Sequence, residues 1–310
     1  MVVGVIGLGE VGSRFAAGLA QEGNAEVWGY SPGVGLPRNC QRDAWLMSQG
    51  VHLANSPAAL AQKAKILLSV VGCDAACDTA QEYVPFLMRG KIYADLSSGV
   101  PQLKRRIASV ISATGASFVD GAIMASPLER WQKTPVVVSG QAARKLQAQL
   151  NGCGMCLSYV GETVGQASCL KVLRSIFAKS LEALLLETYV AAEHYGILDD
   201  VADALRDMFA REPVAPMFER MVVTNVVHAE RRAREIGAMA DLLEAAGISC
   251  LMSRAAEKKL FWAVDSGEKA FFSERSPGDF REVVAYLTAY QQRTASSEHE
   301  HSNERWDKKG

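Results

Sequence analysis

The segment GLGEVG at residues 7–12 constrains this chain more than any other. It follows the apolar run Val2, Val3, Gly4, Val5 and Ile6 and opens an amphipathic stretch that continues from Ser13 to Gln21. A strand that stops at Gly7 and turns straight into a helix aims unpaired backbone N–H groups, and the positive end of the helix dipole, at a pyrophosphate. Gly7 permits the tight turn, Gly9 keeps a Cβ away from the phosphates, and Gly12 lets the helix pack against the strand. The flanking pattern therefore predicts dinucleotide binding by Gly7, Leu8, Gly9, Glu10, Val11 and Gly12, with a purely structural turn as the bland alternative.

Short apolar runs alternate with helical patterns through the first half. Strands are expected near 2–7, 26–30, 51–54, 65–71, 91–95, 117–120 and 135–139, with helices between most of them. This is the pattern of an α/β fold, an N-terminal Rossmann doubly wound sheet. Its cofactor crevice is expected at the carboxyl ends of the first, second, fourth and fifth strands, where Val70 and Val71 close the fourth. The second strand ends in Val27-Trp28-Gly29-Tyr30-Ser31, at the place where an NAD site usually carries an acid for the ribose 2′-hydroxyl. Ser31 stands there instead. A carboxylate would repel a 2′-phosphate, whereas a hydroxyl followed by Arg38 and Arg42 can bind one through charge-assisted hydrogen bonds. The same arginines are also what a solvated loop carries. NADP is the expected cofactor, with NAD possible.

After Gly140 the pattern changes. Residues 161–195 contain no proline and only two glycines, both near the start, and are expected to form one helix roughly 45–50 Å long, the spine of an all-α second domain. Gly165, Ser168, Lys171 and Ser175 recur at spacings of three, three and four, which puts them on one helix face. A lysine on a small, polar stripe of a Leu-rich helix points either to solvent or into a cleft, and partial burial in a cleft would lower its pKa towards general acid/base use.

At this point the chain resembles the β-hydroxyacid dehydrogenase family, which includes 3-hydroxyisobutyrate and 6-phosphogluconate dehydrogenases. GLGEVGSRFAAGL at 7–19 is similar to its cofactor signature, DLSSGVP at 95–101 to its substrate loop DxSTxxP, and 165–171 to its GxxxxxK segment. The resemblance implies Lys171 as proton donor and acceptor, with Ser97, Ser98 and Gly99 on the substrate. Three positions depart from the pattern. Arg174 and Ser175 stand where the family has an asparagine, Asp120-Gly-Ala-Ile-Met124-Ala-Ser126 replaces DAPVSGG, and Arg234-Glu235 replaces a Lys-Asp pair that lies near the nicotinamide in relatives. By position, Met124, Arg174 and Ser175 join the substrate-binding set and Arg234 the cofactor set. Segments 167–197 and 228–248 look like the branch of 6-phosphogluconate dehydrogenase-like proteins with a short helical C-terminal domain of unknown function. His228, Arg231, Arg232 and Arg234 form a basic cluster that suits either an anion site or a solvated helix face.

Composition narrows the remaining choices. With 310 residues, 49% hydrophobic and 22% charged, the chain can bury a large core and is expected to divide into a Rossmann domain at 1–160, a helical substrate and dimerisation domain at 161–292, and a disordered tail at 293–310. A formal net charge of −1 gives no electrostatic case for nucleic acid. Seven cysteines, an odd number with no signal peptide ahead of the first strand, suit a reduced cytoplasm. The Cys73/Cys77 and Cys153/Cys156 spacings lack the partners of a metal site, so no metal is expected. No apolar run is long enough to span a membrane.

Together these features predict an NADP-preferring oxidoreductase of hydroxy- or keto-compounds with Lys171 as general acid/base, acting on a small molecule and assembling as a homodimer through its C-terminal domain. An imine reductase on the same scaffold and a non-catalytic NADPH-binding protein are the two alternatives. The lysine weighs against the first, whereas the second would not miss the family asparagine.

Overall fold

The computed structural model describes residues 1–273, 275 and 277–307. The first half runs β1 (Val2–Ile6), α1 (Glu10–Gln21), β2 (Glu26–Tyr30), α2 (Cys40–Ser48), β3 (His52–Leu53), α3 (Pro57–Lys63), β4 (Ile66–Ser69), α4 (Ala76–Tyr83), β5 (Ile92–Asp95), α5 (Pro101–Ser112), β6 (Ser117–Ile123), β7 (Pro135–Ser139), α6 (Ala143–Asn151) and β8 (Cys156–Gly161). Helices follow: α7 (Gln166–His194), α8 (Leu198–Ala210), α9 (Val214–Ala245), α10 (Leu251–Asp265), α11 (Glu268–Phe271) and α12 (Phe280–Asp307).

The strands form one sheet in the order β3-β2-β1-β4-β5-β6-β7-β8, parallel except between β6 and β7. Side chains alternate across it, as the two-residue period of a strand requires. Val3 and Val5, Ile66 and Leu68, and Ile92 and Ala94 pack on one face with Phe15, Leu19, Leu46, Leu146 and Leu150 from α1, α2 and α6. Ile6, Leu67, Tyr93 and Phe118 pack on the other with Leu60, Tyr83, Ile107 and Ile111. Both faces are covered, so the strands read as near-continuous apolar runs. The chain winds outward from β1 to β3 and returns to β4 on the other side of β1, which makes the β1/β4 boundary the topological switch point.

Seven runs are expected, and among the described residues eight strands form. The eighth, β8, alternates only over exposed Cys156, buried Leu157 and exposed Ser158 before three half-buried residues, too short a pattern to stand out. The long helix starts at Gln166 rather than 161, because Gly161 and Gly165 occupy backbone conformations with φ of 157° and 105°. Of the tail at 293–310 expected to be disordered, residues 308–310 lie outside the described residues, and α12, which begins with Val283, Tyr286 and Leu287 packed against Val226 and Phe272, extends to Asp307, since propagation of a seeded helix is far easier than its nucleation.

Compactness divides the chain into Met1–Phe177 and Ala178–Gly310, so the first unit extends past the expected break at 160 to include the start of α7. The reason is the bonding of that first turn to the sheet, described below. Within the second unit, α10 and α12 pack on α9. The Glu187 carboxylate caps α10, accepting the N–H groups of Met252 at 2.7 Å and Ser253 at 2.9 Å.

Candidate active site

The parallel strands end in register. Ile6 lies beside Tyr30 and Ser69, Ser69 beside Asp95, and Asp95 beside Asp120. The residues that follow therefore emerge along one carboxyl edge of the sheet: Gly7, Ser31, Val70 with Val71, and the loop 96–99. Gly7 turns with φ 90° and donates its N–H to the Tyr30 carbonyl at 2.8 Å. A Cβ there would stand 2.8 Å from both the Val70 oxygen and Val71 Cγ1. Gly9 is the N-cap of α1, and its side is open, with nothing within 4 Å of an added Cβ. Among the described residues no side chain caps this helix start. Gly12 is the reverse case, since a Cβ would lie 1.8 Å from the Gly7 oxygen.

This cradle fits a pyrophosphate, which would lie over Gly9 and accept the free amides of Glu10 and Val11. Gly12→Ala is expected to push α1 off the turn, costing about 1–3 kcal/mol of stability and most of the dinucleotide affinity. Gly9→Ala should leave thermal unfolding nearly unchanged yet still weaken the dinucleotide. Melting curves and cofactor titration of the two variants check the contrast.

Further along the same edge, the Ser31 hydroxyl oxygen is buried and has no hydrogen-bond partner among the described residues. A buried polar atom left unsatisfied costs on the order of 1–3 kcal/mol, so it calls for a partner such as a ribose or phosphate oxygen. Arg38 is exposed on the following loop. Arg42, expected to share its role, is committed to Asp43, with Nη2 2.6 Å from Oδ1. The other Asp43 oxygen accepts the Gly35 N–H at 2.8 Å, which organises that loop. Arg234 stands on α9 in the second unit, exposed and paired with Glu230 at 2.7 Å. Its neighbours are also satisfied, Arg231 by Glu235 and Arg232 by the Thr224 hydroxyl. Two of the cluster's three arginines are thus ion-paired within the helix and the third is held by a hydroxyl.

The start of α7 supplies the other half of the site. Half-buried Lys171 donates from Nζ to the exposed Ser98 hydroxyl at 2.9 Å. Burial, with the charges of Lys104 and Arg174 nearby, lowers the pKa of its amine below the ordinary lysine value of 10.5. Arg174, one turn on, donates to the Met124 carbonyl just beyond β6. Ser175 is half-buried on the same helix. Lys171, Ser98, Met124 and Arg174 are thus brought together, with Gly99 next to Ser98. Ser97 points the other way: it is 3% exposed and donates to Asp95 Oδ2 at 2.7 Å, so its hydroxyl braces the loop from within.

Beneath this surface lies a polar network that motif reading did not single out. The Lys104 side chain on α5 is fully buried and donates to Asp95 Oδ2 at 2.8 Å, to the Asp95 carbonyl at 2.9 Å and to the Gly121 carbonyl at 3.2 Å. Asp120 faces it with Oδ1 at 3.7 Å. The second Asp120 oxygen accepts the N–H groups of Gly165 at 3.1 Å and Ser168 at 3.0 Å and the Ser168 hydroxyl at 3.0 Å. Ser139 adds a bond to the Ala167 N–H at 3.0 Å. Asp120 therefore caps α7 from the sheet, and the negative carboxylate suits the positive helix end.

Among the described residues, no group of three or more His, Cys, Asp or Glu side chains is arranged to hold a metal ion. No described helix is long and apolar enough to cross a membrane, and the seven cysteines are free.

Comparisons with known proteins bear on the same regions. Residues 2–161 match the model of the NAD binding domain of 6-phosphogluconate dehydrogenase, and residues 192–262 match a domain of unknown function, DUF1932. The chain is 30% identical over 236 residues to the uncharacterized 28.5 kDa protein in the 7S RNA 5′ region of Methanothermus fervidus, spanning 76% of this chain and 88% of that one. It is similar in structure to a conserved hypothetical protein from Sinorhizobium meliloti, with a TM-score of 0.63 and 30% identity over 94% of this chain and 96% of the other. An imine reductase from Myxococcus stipitatus in complex with NADP+ gives a TM-score of 0.66 and 25% identity, covering 94% of this chain and 100% of that one.

Proposed function

This chain belongs to the oxidoreductase family built on the NAD binding domain of 6-phosphogluconate dehydrogenase, and from that premise we propose that it is an NADP-preferring enzyme acting on a small hydroxy- or keto-compound, with Lys171 as general acid and base. The observation that carries the proposal is the 2.9 Å bond from Lys171 to Ser98 on the cofactor edge of the sheet, made by an amine whose proton is held less tightly than usual. General acid catalysis needs a donor within hydrogen-bond reach of the reacting oxygen and with a pKa drawn towards the working pH.

When bound, NADP supplies or accepts hydride at its nicotinamide. Gly7, Leu8, Gly9, Glu10, Val11 and Gly12 would hold its pyrophosphate, Ser31 and Arg38 its 2′-phosphorylated ribose, and Val70 and Val71 would bound it from the end of β4. In reduction, Lys171 Nζ gives a proton to the substrate oxygen as that oxygen gains charge, and in oxidation it takes the proton back. Ser98 accepts one Lys171 hydrogen and can turn its own hydroxyl hydrogen to the same substrate oxygen. Arg174, held by Met124, provides the fixed cation that the family asparagine does not, which suits a substrate bearing an anionic group. The free cysteines suit a cytoplasmic location.

Likeness to the Myxococcus stipitatus imine reductase supports a second reading, reduction of a carbon–nitrogen double bond at the same place. Turnover of NADPH with ketones, keto acids and imines separates the two: keto acids or ketones should be reduced fastest, and turnover confined to imines would reverse the order of the readings.

Assembly is a homodimer on this proposal. Leu186 is 63% exposed, Val190 60%, Met239 60% and Leu242 59%, more apolar surface than a monomer usually leaves to water. Light scattering at micromolar concentration should report twice the 33.4 kDa chain mass, and a monomer would contradict it.

A further inference from the structure

We propose that Lys104 is the positioning residue of this site: its buried ammonium ties the loop that presents Ser98 to the helix that presents Lys171, and so holds those two groups together. The proposal rests on the reading of Lys171 as acid and base. Lys104 lies in the run QLKRRI, where its neighbours Arg105 and Arg106 are exposed, yet its own side chain is wholly buried. Stability alone does not ask for a charge there, because an apolar residue of similar volume often serves a core as well as a buried ion pair does. The ammonium reaches both halves of the site. Through Asp95 it braces Ser97, whose N–H and hydroxyl both bond to that carboxylate, and so sets the loop that carries Ser98. Through Asp120 it meets the carboxylate that receives the first amides of α7, one turn before Lys171.

The same charge acts on Lys171 through space. Lys104 and Arg174 both oppose a proton on the Lys171 amine, as burial does. Among the described residues, the other charged groups around the α7 start include Asp95 on β5, Asp120 on β6, Glu162 just before the helix, and Arg105 on α5, whose guanidinium lies against Gly165. Asp95 is the carboxylate closest to the Lys104 ammonium, so its negative charge offsets part of the field that Lys104 exerts on Lys171.

The test needs no substrate. Lysines of the full chain are methylated with [13C]formaldehyde under reducing conditions, the Lys171 signal is identified by its loss in Lys171→Arg, and its titration is followed by NMR. Lys104→Met should move the Lys171 midpoint upward, towards 10.5. Asp95→Asn, which keeps the shape of the side chain and one of its two acceptor oxygens, should move it downward, because it strips the counter-charge from Lys104. Simple loosening of the site would admit water and raise the midpoint in both variants. A midpoint that stays put in a folded variant, or rises in both, overturns the proposal. If Lys104→Met does not fold, Asp95→Asn decides by the sign of its shift. Failure of the Asp95→Asn isostere to fold would also overturn it, since the network would then serve the fold and not the site. With a substrate in hand, kcat of Lys104→Met should fall roughly 10- to 100-fold with KM nearly unchanged. Failure of the oxidoreductase reading would leave the titration result intact, so the two remain distinguishable.

Discussion

Lys171→Met is expected to lower kcat by roughly 10² to 10⁴ while leaving cofactor affinity nearly unchanged. Methionine keeps the apolar stem on α7, and Asp120, Ser139 and Gly165 go on seating the helix, so the loss is that of a transferable proton alone. Arg174→Ala is the matched control one turn along. It removes the cation held by the Met124 carbonyl and should mainly raise KM, by weakening the hold on an anionic substrate group. The pH dependence has a definite sign. Reduction needs Lys171 protonated, and its amine releases the proton below the ordinary 10.5. The reductive rate should therefore decline as pH rises through that lowered value, and the oxidative rate should climb over the same interval. Steady-state kinetics of the three proteins across alkaline pH check both points, and a Lys171→Met enzyme with near-normal kcat would remove the lysine from the chemistry.

Ser31→Asp should reverse the cofactor preference. In the unmodified chain the buried Ser31 hydroxyl lacks a partner and Arg38 stands exposed beyond it, a setting that can accept a 2′-phosphate. Two like charges about 4 Å apart near a protein surface repel by about 4 kcal/mol, and each ~1.4 kcal/mol is a factor of ten. With part of that relieved by solvent, NADPH affinity should fall by roughly 10²-fold, while NADH gains a carboxylate acceptor for its 2′-hydroxyl. Fluorescence titration of both cofactors against both proteins measures the exchange. Equal affinities in the unmodified chain would count against the assignment of Ser31.

Local pattern was enough to find the edge of the sheet on which these residues stand. Gly7, Gly9 and Gly12 announce a turn whose backbone geometry allows little else, and the apolar runs from Val2, Ile66 and Ile92 are long enough to declare strands. Lys171 stands out as a polar interruption in a Leu-rich helix, but the helix pattern leaves it open to solvent or a cleft, and only the family resemblance gives it a role. Ser97 and Ser98 were not separable, because adjacent residues of a loop differ in direction only once the fold has decided which faces Asp95. Lys104 was hidden for a similar reason. In QLKRRI it looks like one of three solvated cations, and only the approach of Asp95 and Asp120 from two strands turns it into a buried one. Arg42 looked available for a phosphate until its neighbour Asp43 took it up. β8 was obscured because only Cys156, Leu157 and Ser158 of its six residues alternate between exposed and buried.

Transfer of deuterium from [4-²H]NADPH to product, followed by mass spectrometry with Lys171→Met run beside the unmodified protein, is the most direct measurement. One deuterium should appear on the former carbonyl carbon of a ketone or keto acid, and its appearance should slow at least about 100-fold in the variant. Label that never reaches a carbonyl carbon, or reaches it equally fast without Lys171, would contradict the proposed chemistry.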